Sequence, residues 1–285
     1  MLRGIFLLTS VILVLNVQAQ DPATYLKQNA VKIDDPEFLP VQLYNILSPY
    51  KLVMLGEIHG ANEPAKFMIG LAKLFASKGD SVQVGLEIPS EDMTAYISAH
   101  TDSSVYLSRF FADPRSEDGR ETDAMAGIIA KLNNNPKVKI FFYDINPGDC
   151  QYTYQRDSMM YSKIKKQYQL HPGWKMLTLS GNVHNITSAD NDVGTMTMGV
   201  YLKQDKELNL GDQIFTIKHY FIRGSMVNTN GRGLELKTVD NGDNVMSQTL
   251  GWDKYFLVAN PIRNYPYTAI YFTETVTAAK MLNKK

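Results

Sequence analysis

Four short stretches of this sequence are almost unbroken in apolar residues, and each has an ionisable side chain at or close to its carboxyl end. They are Lys51–Glu57 (KLVMLGE), Ser81–Ile88 (SVQVGLEI), Val138–Ile145 (VKIFFYDI) and Lys175–Asn182 (KMLTLSGN). A strand with one face in water alternates apolar and polar residues. A near-continuous run needs cover on both faces, as in a parallel sheet. Helical patterns lie between the runs. Pro64 to Ser77 carries Phe67, Leu71 and Leu74 on one stripe, with Gly79 placed as a stop. Gln151 to Leu170 carries Met160, Tyr161, Ile164 and Tyr168 on one stripe and ends at Pro172-Gly173. Strand and helix in alternation predict an α/β fold with a mainly parallel central sheet flanked by helices.

Thr195–Lys203 (TMTMGVYLK) reads as a fifth strand. Pro89 to Asn135 is longer than one crossover needs and reads as a helical insertion, at about 89–135, over one edge of the sheet. Its helical pieces lie near Glu91–Ala99, Val105–Phe111 and Asp123–Leu132; Ala112–Glu121 (ADPRSEDGRE) is polar and reads as a loop. Beyond Asn185 the chain is β-rich. Ile214–Arg223, Tyr255–Ala259 and Ala269–Phe272 read as strands, separated by turns at Asn228–Gly233 and Asp240–Asn244. A short helix from Thr275 to Leu282 is expected last.

Residues 1–19 have the pattern of a signal peptide: Arg3, an apolar run from Ile5 to Val17, and small residues before a cut after Ala19. That run is short for a membrane span. The mature chain, 20–285, is then expected to be one α/β domain, periplasmic or secreted, with no stable membrane span. The lone cysteine, Cys150, excludes an internal disulfide and a cysteine-rich zinc site. Lys+Arg and Asp+Glu are 29 each, so no net basic field favours nucleic acid.

In open α/β sheets ligands bind outside the carboxyl ends of the strands. The first run ends in Gly56-Glu57-Ile58-His59-Gly60, the second in Glu87, the third in Asp144 and the fourth in Gly181-Asn182-Val183-His184-Asn185. Charged groups at such positions need partners. Glu57 and His59, two apart, face one side of an extended chain. They suit a carboxylate-oriented general base or two ligands of one metal. Glu63 continues the apolar stripe of its helix toward the sheet; the alternative is an acid on the helix dipole. Asp157 lies on the buried face of its helix and calls for His59 or His184 as partner. His100 and His171 end helices, and His219 alternates within a strand. No phosphate loop, dinucleotide fingerprint or serine elbow is present.

These residues also resemble a known group. Leu55-Gly56-Glu57-Ile58-His59-Gly60-Ala61-Asn62-Glu63, Glu87, Arg156-Asp157 with Met160, Gly181-Asn182-Val183-His184 and Met198-Gly199-Val200-Tyr201-Leu202 are similar to the ordered motifs of the erythromycin esterase-like, ChaN-like and Tiki superfamily. The resemblance spans Lys51 to about Lys203. It implies a rim site built from Glu57, His59, Glu63, Glu87, Arg156 and His184, with Asp144, Asp157 and Asn182 in support. Esterase-like members hydrolyse a macrolactone through a histidine-activated water, Tiki-like members look like metal-dependent proteases, and ChaN-like members bind haem. The short length and Pro64 depart from the esterase-like pattern.

The expectation is therefore an exported hydrolase acting on an ester, lactone or amide of a small-molecule substrate. His59 is the general base, Glu57 or Glu87 orients it, and Arg156 or His184 meets the oxyanion. A variant places Zn, Mn or Fe between His59, Glu87 and His184. The rival is a haem or small-ligand binding protein.

Overall fold

The computed structural model describes residues 21–113, 119–190, 196–229, 234–242, 245–258 and 265–282. The signal peptide expected at 1–19 lies outside them. The strands are β1 (Val31–Lys32), β2 (Leu52–Glu57), β3 (Val82–Pro89), β4 (Val138–Asp144), β5 (Lys175–Gly181), β6 (Ile214–Thr229), β7 (Leu234–Asp240), β8 (Lys254–Val258) and β9 (Ala269–Val276). The helices are α1 (Pro22–Asn29), α2 (Val41–Leu47), α3 (Glu63–Ser77), α4 (Thr94–Ala99), α5 (Arg109–Ala112), α6 (Asp123–Leu132), α7 (Thr153–Leu170), α8 (Met198–Gln204) and α9 (Val245–Leu250).

The strands form one sheet in the order β1-β8-β9-β6-β2-β5-β3-β4, with β7 pairing β6. From β9 to β4 every adjacent pair is parallel; β1–β8, β8–β9 and β6–β7 are antiparallel. This is the mixed α/β sheet with a β-rich C-terminal part that the sequence predicts. The continuous apolar runs are explained by burial: every residue of β2 and β3 is buried.

Alternate residues of each strand feed two cores. Val53, Leu55, Val84 and Leu86 meet Phe67, Leu71 and Ile129 from α3 and α6. Leu52, Met54, Tyr143 and Met176 meet Met160, Ile164 and Leu202 from α7 and α8. On α7 the buried face is Asp157, Met160, Ile164 and Tyr168, a single stripe that carries one acid among apolar residues. Pro64 falls in the first turn of α3, where its missing N–H has no intrahelical acceptor, and Gly79 leaves the helix at φ +104°.

Three expectations are corrected. Of Thr195–Lys203, the part from Met198 onward is helical, as α8. Thr197 caps it by accepting from the Val200 amide at 3.3 Å. Met198, Gly199, Val200 and Leu202 are all buried, so a helix enclosed on several sides showed no helical period. The stretch Thr275–Leu282 is not helical either. Thr275 and Val276 complete β9, and bridges then join Ala278 to Ala61 and Met281 to Thr122. Partners distant in sequence hold that backbone: Ala279 donates to the Gly60 carbonyl at 2.9 Å and Leu282 to the Glu121 carbonyl at 3.0 Å. Finally, the polar loop at Ala112–Glu121 ends in buried residues, Arg120 and Glu121. Positions 114–118 lie outside the described residues, as do 195, 230–233, 243, 244 and 259 of the other stretches named above.

Candidate functional site: a carboxylate, imidazole and guanidinium cluster on the sheet rim

Because β2, β3, β4 and β5 are parallel, their carboxyl ends share one edge of the sheet. β2 ends in Glu57 and leads directly to His59. The turn depends on Gly60, at φ +91°, where a Cβ would stand 1.7 Å from the Val227 carbonyl oxygen. The His59 Nδ1–H donates to Glu57 Oε1 at 2.9 Å. Glu57 is 4% exposed, and burial raises its pKa, with the His59 contact opposing. His59 itself is 22% exposed.

A second carboxylate–imidazole pair faces the first. His184, just beyond β5, directs Nδ1 to Asp157 Oδ1 at 2.8 Å. The same oxygen accepts the Met198 amide at 2.7 Å, so α8 helps to fix the pair. With its proton on Nδ1, His184 presents the Nε2 lone pair to Arg156 Nη1, 3.2 Å away. The sequence left His59 or His184 as partner of Asp157; the structure selects His184.

Glu87 lies between the two imidazoles. Its Oε2 is 3.9 Å from His59 Nε2, and its Oε1 is 3.6 Å from His184 Nε2. Oε2 accepts the Gly181 amide at 2.6 Å and Oε1 accepts Arg156 Nη2 at 2.6 Å. Burial alone would raise the pKa of Glu87, but the charge of Arg120, then of His184 and His59 whenever they are protonated, and of Arg156, holds it far below the usual carboxylate range. Gly181 separates the rings: a Cβ there would lie 3.4 Å from His59 Nε2 and 3.6 Å from His184 Cδ2.

Asp144 grips Arg156 with both oxygens, Nε to Oδ1 at 2.9 Å and Nη2 to Oδ2 at 2.8 Å. It thus orients the guanidinium. Four of the five N–H groups of Arg156 are directed to Asp144, Glu87 and His184, which leaves one on Nη1. Arg120, which sequence reasoning missed, comes from the insertion. Its Nη1 is 2.8 Å from Asp144 Oδ2 and 3.1 Å from Glu87 Oε1, and it also donates to the Glu87 carbonyl. The one local signal was Thr122, the side-chain cap of α6, which sets Arg120 just ahead of a helix start.

The structure thus brings Glu57, His59, Glu87, Asp144, Arg156, Asp157 and His184 together. It does not bring Glu63 among them. Both Glu63 oxygens accept the Thr277 amide, at 3.2 and 3.1 Å, and Oε1 also accepts its hydroxyl at 2.8 Å. Glu63 therefore anchors the C-terminal segment. Asn182 faces away from the cluster as well. Its Oδ1 packs where a Gly56 Cβ would be, at 2.6 Å, and its carbonyl accepts Tyr267 Oη at 2.9 Å.

The proposed metal set does not fit. His59, Glu87 and His184 converge, but the guanidinium groups of Arg156 and Arg120 take the coordinating side of Glu87 and His184. Among the described residues no group of three or more His, Cys, Asp or Glu side chains is disposed to hold a metal. His100 ends α4 and His171 ends α7. His219 is buried in β6, with Nε2 2.9 Å from Thr273 Oγ1. No helix among the described residues is long and apolar enough to cross a membrane.

The architecture is an open α/β sheet with a water-reachable carboxylate–histidine pair on its carboxyl rim, backed by buried arginine–carboxylate pairs. No protein-family model matches the sequence, and no curated protein does. Solved structures do. A Bacillus cereus protein superposes with a TM-score of 0.62 over 91% of this chain and 98% of its own, at 13% identity. A succinoglycan biosynthesis protein gives 0.65 over 91% and 97%, at 10% identity. Erythromycin esterase EreC, as a histidine-to-asparagine mutant in its open conformation, gives 0.56 over 86% and 96%, at 12% identity. The chain shares its fold with these solved structures, erythromycin esterase EreC among them.

Proposed function

We propose that this protein is a hydrolase that activates water with His59 to cleave an ester, lactone or amide. The observation that carries the reading is the Glu57–His59 pair. It is buried at its carboxylate end and 22% exposed at its imidazole end, on the rim of the sheet. A base must be oriented from behind and reachable in front.

The chemistry uses the groups in place. With the Nδ1–H directed to Glu57, the His59 Nε2 takes a proton from water as the water oxygen bonds to the carbonyl carbon. Glu57, with Glu87 3.9 Å from Nε2, stabilises the imidazolium that forms. The remaining Nη1–H of Arg156 donates to the developing oxyanion. His184 cannot serve there, because its Nε2 carries a lone pair rather than a proton. Its role is to hold Arg156. As the tetrahedral intermediate collapses, the Nε2–H passes to the departing alkoxide or amine. The signal-peptide pattern of residues 1–19 supports an activity in the cell envelope or outside the cell.

The test is hydrolysis of 4-nitrophenyl acetate by the purified mature chain and by His59→Ala. A positioned base contributes about 10²–10⁴-fold. A loss of that size is expected in kcat; equal rates in the two proteins would sink the assignment.

A further inference from the structure

The rim that holds the cluster is edged by exposed apolar side chains. Ile58, between Glu57 and His59, is 40% exposed, and Val183, next to His184, is 44% exposed. At the start of α7, Tyr152 and Tyr154 are 50% and 47% exposed, and their rings stack at 5.5 Å with planes 8° apart. The loop from β4 brings the chain to α7 at the carboxyl edge of the sheet. Tyr152 caps the helix, and its carbonyl accepts the Arg156 amide one turn on at 3.4 Å. The tyrosine pair therefore stands directly ahead of the turn that carries Arg156 and Asp157. Each of two stacked phenol rings covers one face of the other, and the outer faces stay open to water at the helix turn that carries Arg156.

The floor is not neutral. Glu57, Glu87, Asp144 and Asp157 face two guanidinium groups, Arg120 and Arg156, so the fixed charge of the site is negative with both imidazoles neutral. Anions are disfavoured there, and uncharged or cationic groups are not.

We infer that Tyr152 and Tyr154 form a substrate-binding platform that stacks the flat face of a ring belonging to an uncharged or cationic ester. The inference rests on the hydrolytic reading above for the word substrate. The ring chemistry has two sources, an aromatic ring and the C–H face of a sugar, and both would meet the same tyrosine surface.

Kinetics with three probes tests it: phenyl acetate, peracetylated methyl glucoside and ring-free ethyl acetate. In the double variant Tyr152→Ala/Tyr154→Ala, KM for a ring ester is expected to rise about tenfold, the effect of one lost stacked ring, with kcat within about twofold. Ethyl acetate should be unaffected. Whichever ring ester shows the rise identifies the source. Tyr152→Phe/Tyr154→Phe keeps the rings and should restore KM. No rise for either ring ester, or an equal rise for ethyl acetate, overturns the platform. Equilibrium binding of the same ring esters to His59→Ala, followed by tyrosine fluorescence, separates the two claims. Binding abolished by the double alanine substitution upholds the platform even if the wild type hydrolyses nothing, and in that case only the hydrolytic reading fails. No binding, or binding that survives the substitution, overturns the platform.

Discussion

Arg120 Nη1 donates to Asp144 Oδ2 at 2.8 Å across 24 residues of sequence, and this contact joins the helical insertion to the carboxyl edge of the sheet. Arg120 is 6% exposed and stands 3.1 Å from Glu87 Oε1. Removing one member of a buried ionic group leaves charge without compensation, which costs about 3–5 kcal/mol. Arg120→Leu is expected to lower unfolding stability by about 3 kcal/mol, since Arg156 still holds both carboxylates. Urea unfolding measures this, and an unchanged midpoint would show that the contact contributes nothing. Because Arg120 leads the charges that lower the Glu87 pKa, the variant should also lose stability at a higher pH on acidification.

Gly181 separates the imidazoles without strain in its own backbone, at φ −52°. A methyl group there would meet His59 Nε2 at 3.4 Å and His184 Cδ2 at 3.6 Å, both ordinary contacts. Gly181→Ala should therefore fold with stability within about 0.5 kcal/mol of the wild type. The methyl nonetheless takes the space in front of Nε2 from which water is to be deprotonated. At least a tenfold fall in kcat is expected, with circular dichroism and melting unchanged. A folded and fully active variant would place the reacting water elsewhere.

Glu57 links activity to stability in opposite directions. Burial raises its pKa above the ordinary value of 4.5. Its contribution to stability is thus fully present below that value and is lost as pH rises through the folded pKa. Near pH 7 the carboxylate burdens the fold. Glu57→Gln keeps an acceptor for Nδ1 but not the charge that stabilises an imidazolium. Its melting temperature at pH 7 should rise by about 2–4 °C per kcal/mol regained, with the gap to wild type shrinking toward pH 4. Hydrolysis should fall about 100-fold. A variant that melts lower at pH 7 would contradict the sign.

The parts of this site that the sequence exposed are those carried by dense local patterns. Buried parallel strands cannot avoid continuous apolar runs, so the rim positions Glu57, Glu87, Asp144 and His184 could be found from the run ends. Asp157 was found because it interrupts the apolar stripe of α7. The rest depends on distant partners that leave no period. Arg120 sits in a charged loop of the kind that is ordinarily solvated, and its acceptors are 24 and 33 residues away. Glu63 was read toward the site, but its partner Thr277 is 214 residues away. The same holds for the segment after Val276, where an apolar tail reads as a helix until the carbonyls of Gly60 and Glu121 are known to receive its amides.

His219, outside the rim cluster, sets a pH dependence of its own. It is 1% exposed, stacks on Tyr271 at 5.1 Å and leans on Phe221 at 5.6 Å. Nε2 meets Thr273 Oγ1, while Nδ1 has no partner among the described residues. Burial pushes its pKa down to about 3 from the ordinary 6.5. Between those values the unfolded chain binds a proton that the folded chain refuses, so stability falls as pH falls through this window. One group contributes a slope of about 1.4 kcal/mol per pH unit. His219→Phe removes the titration and suits the aromatic neighbours, at the cost of the Thr273 bond. Unfolding free energies between pH 6.5 and 4.5 should decline less steeply in the variant by about 1.4 kcal/mol per unit. The rim histidines are common to both proteins, so their contributions cancel in the difference. Parallel pH profiles would mean that His219 takes up its proton as readily in the folded chain as in the unfolded one.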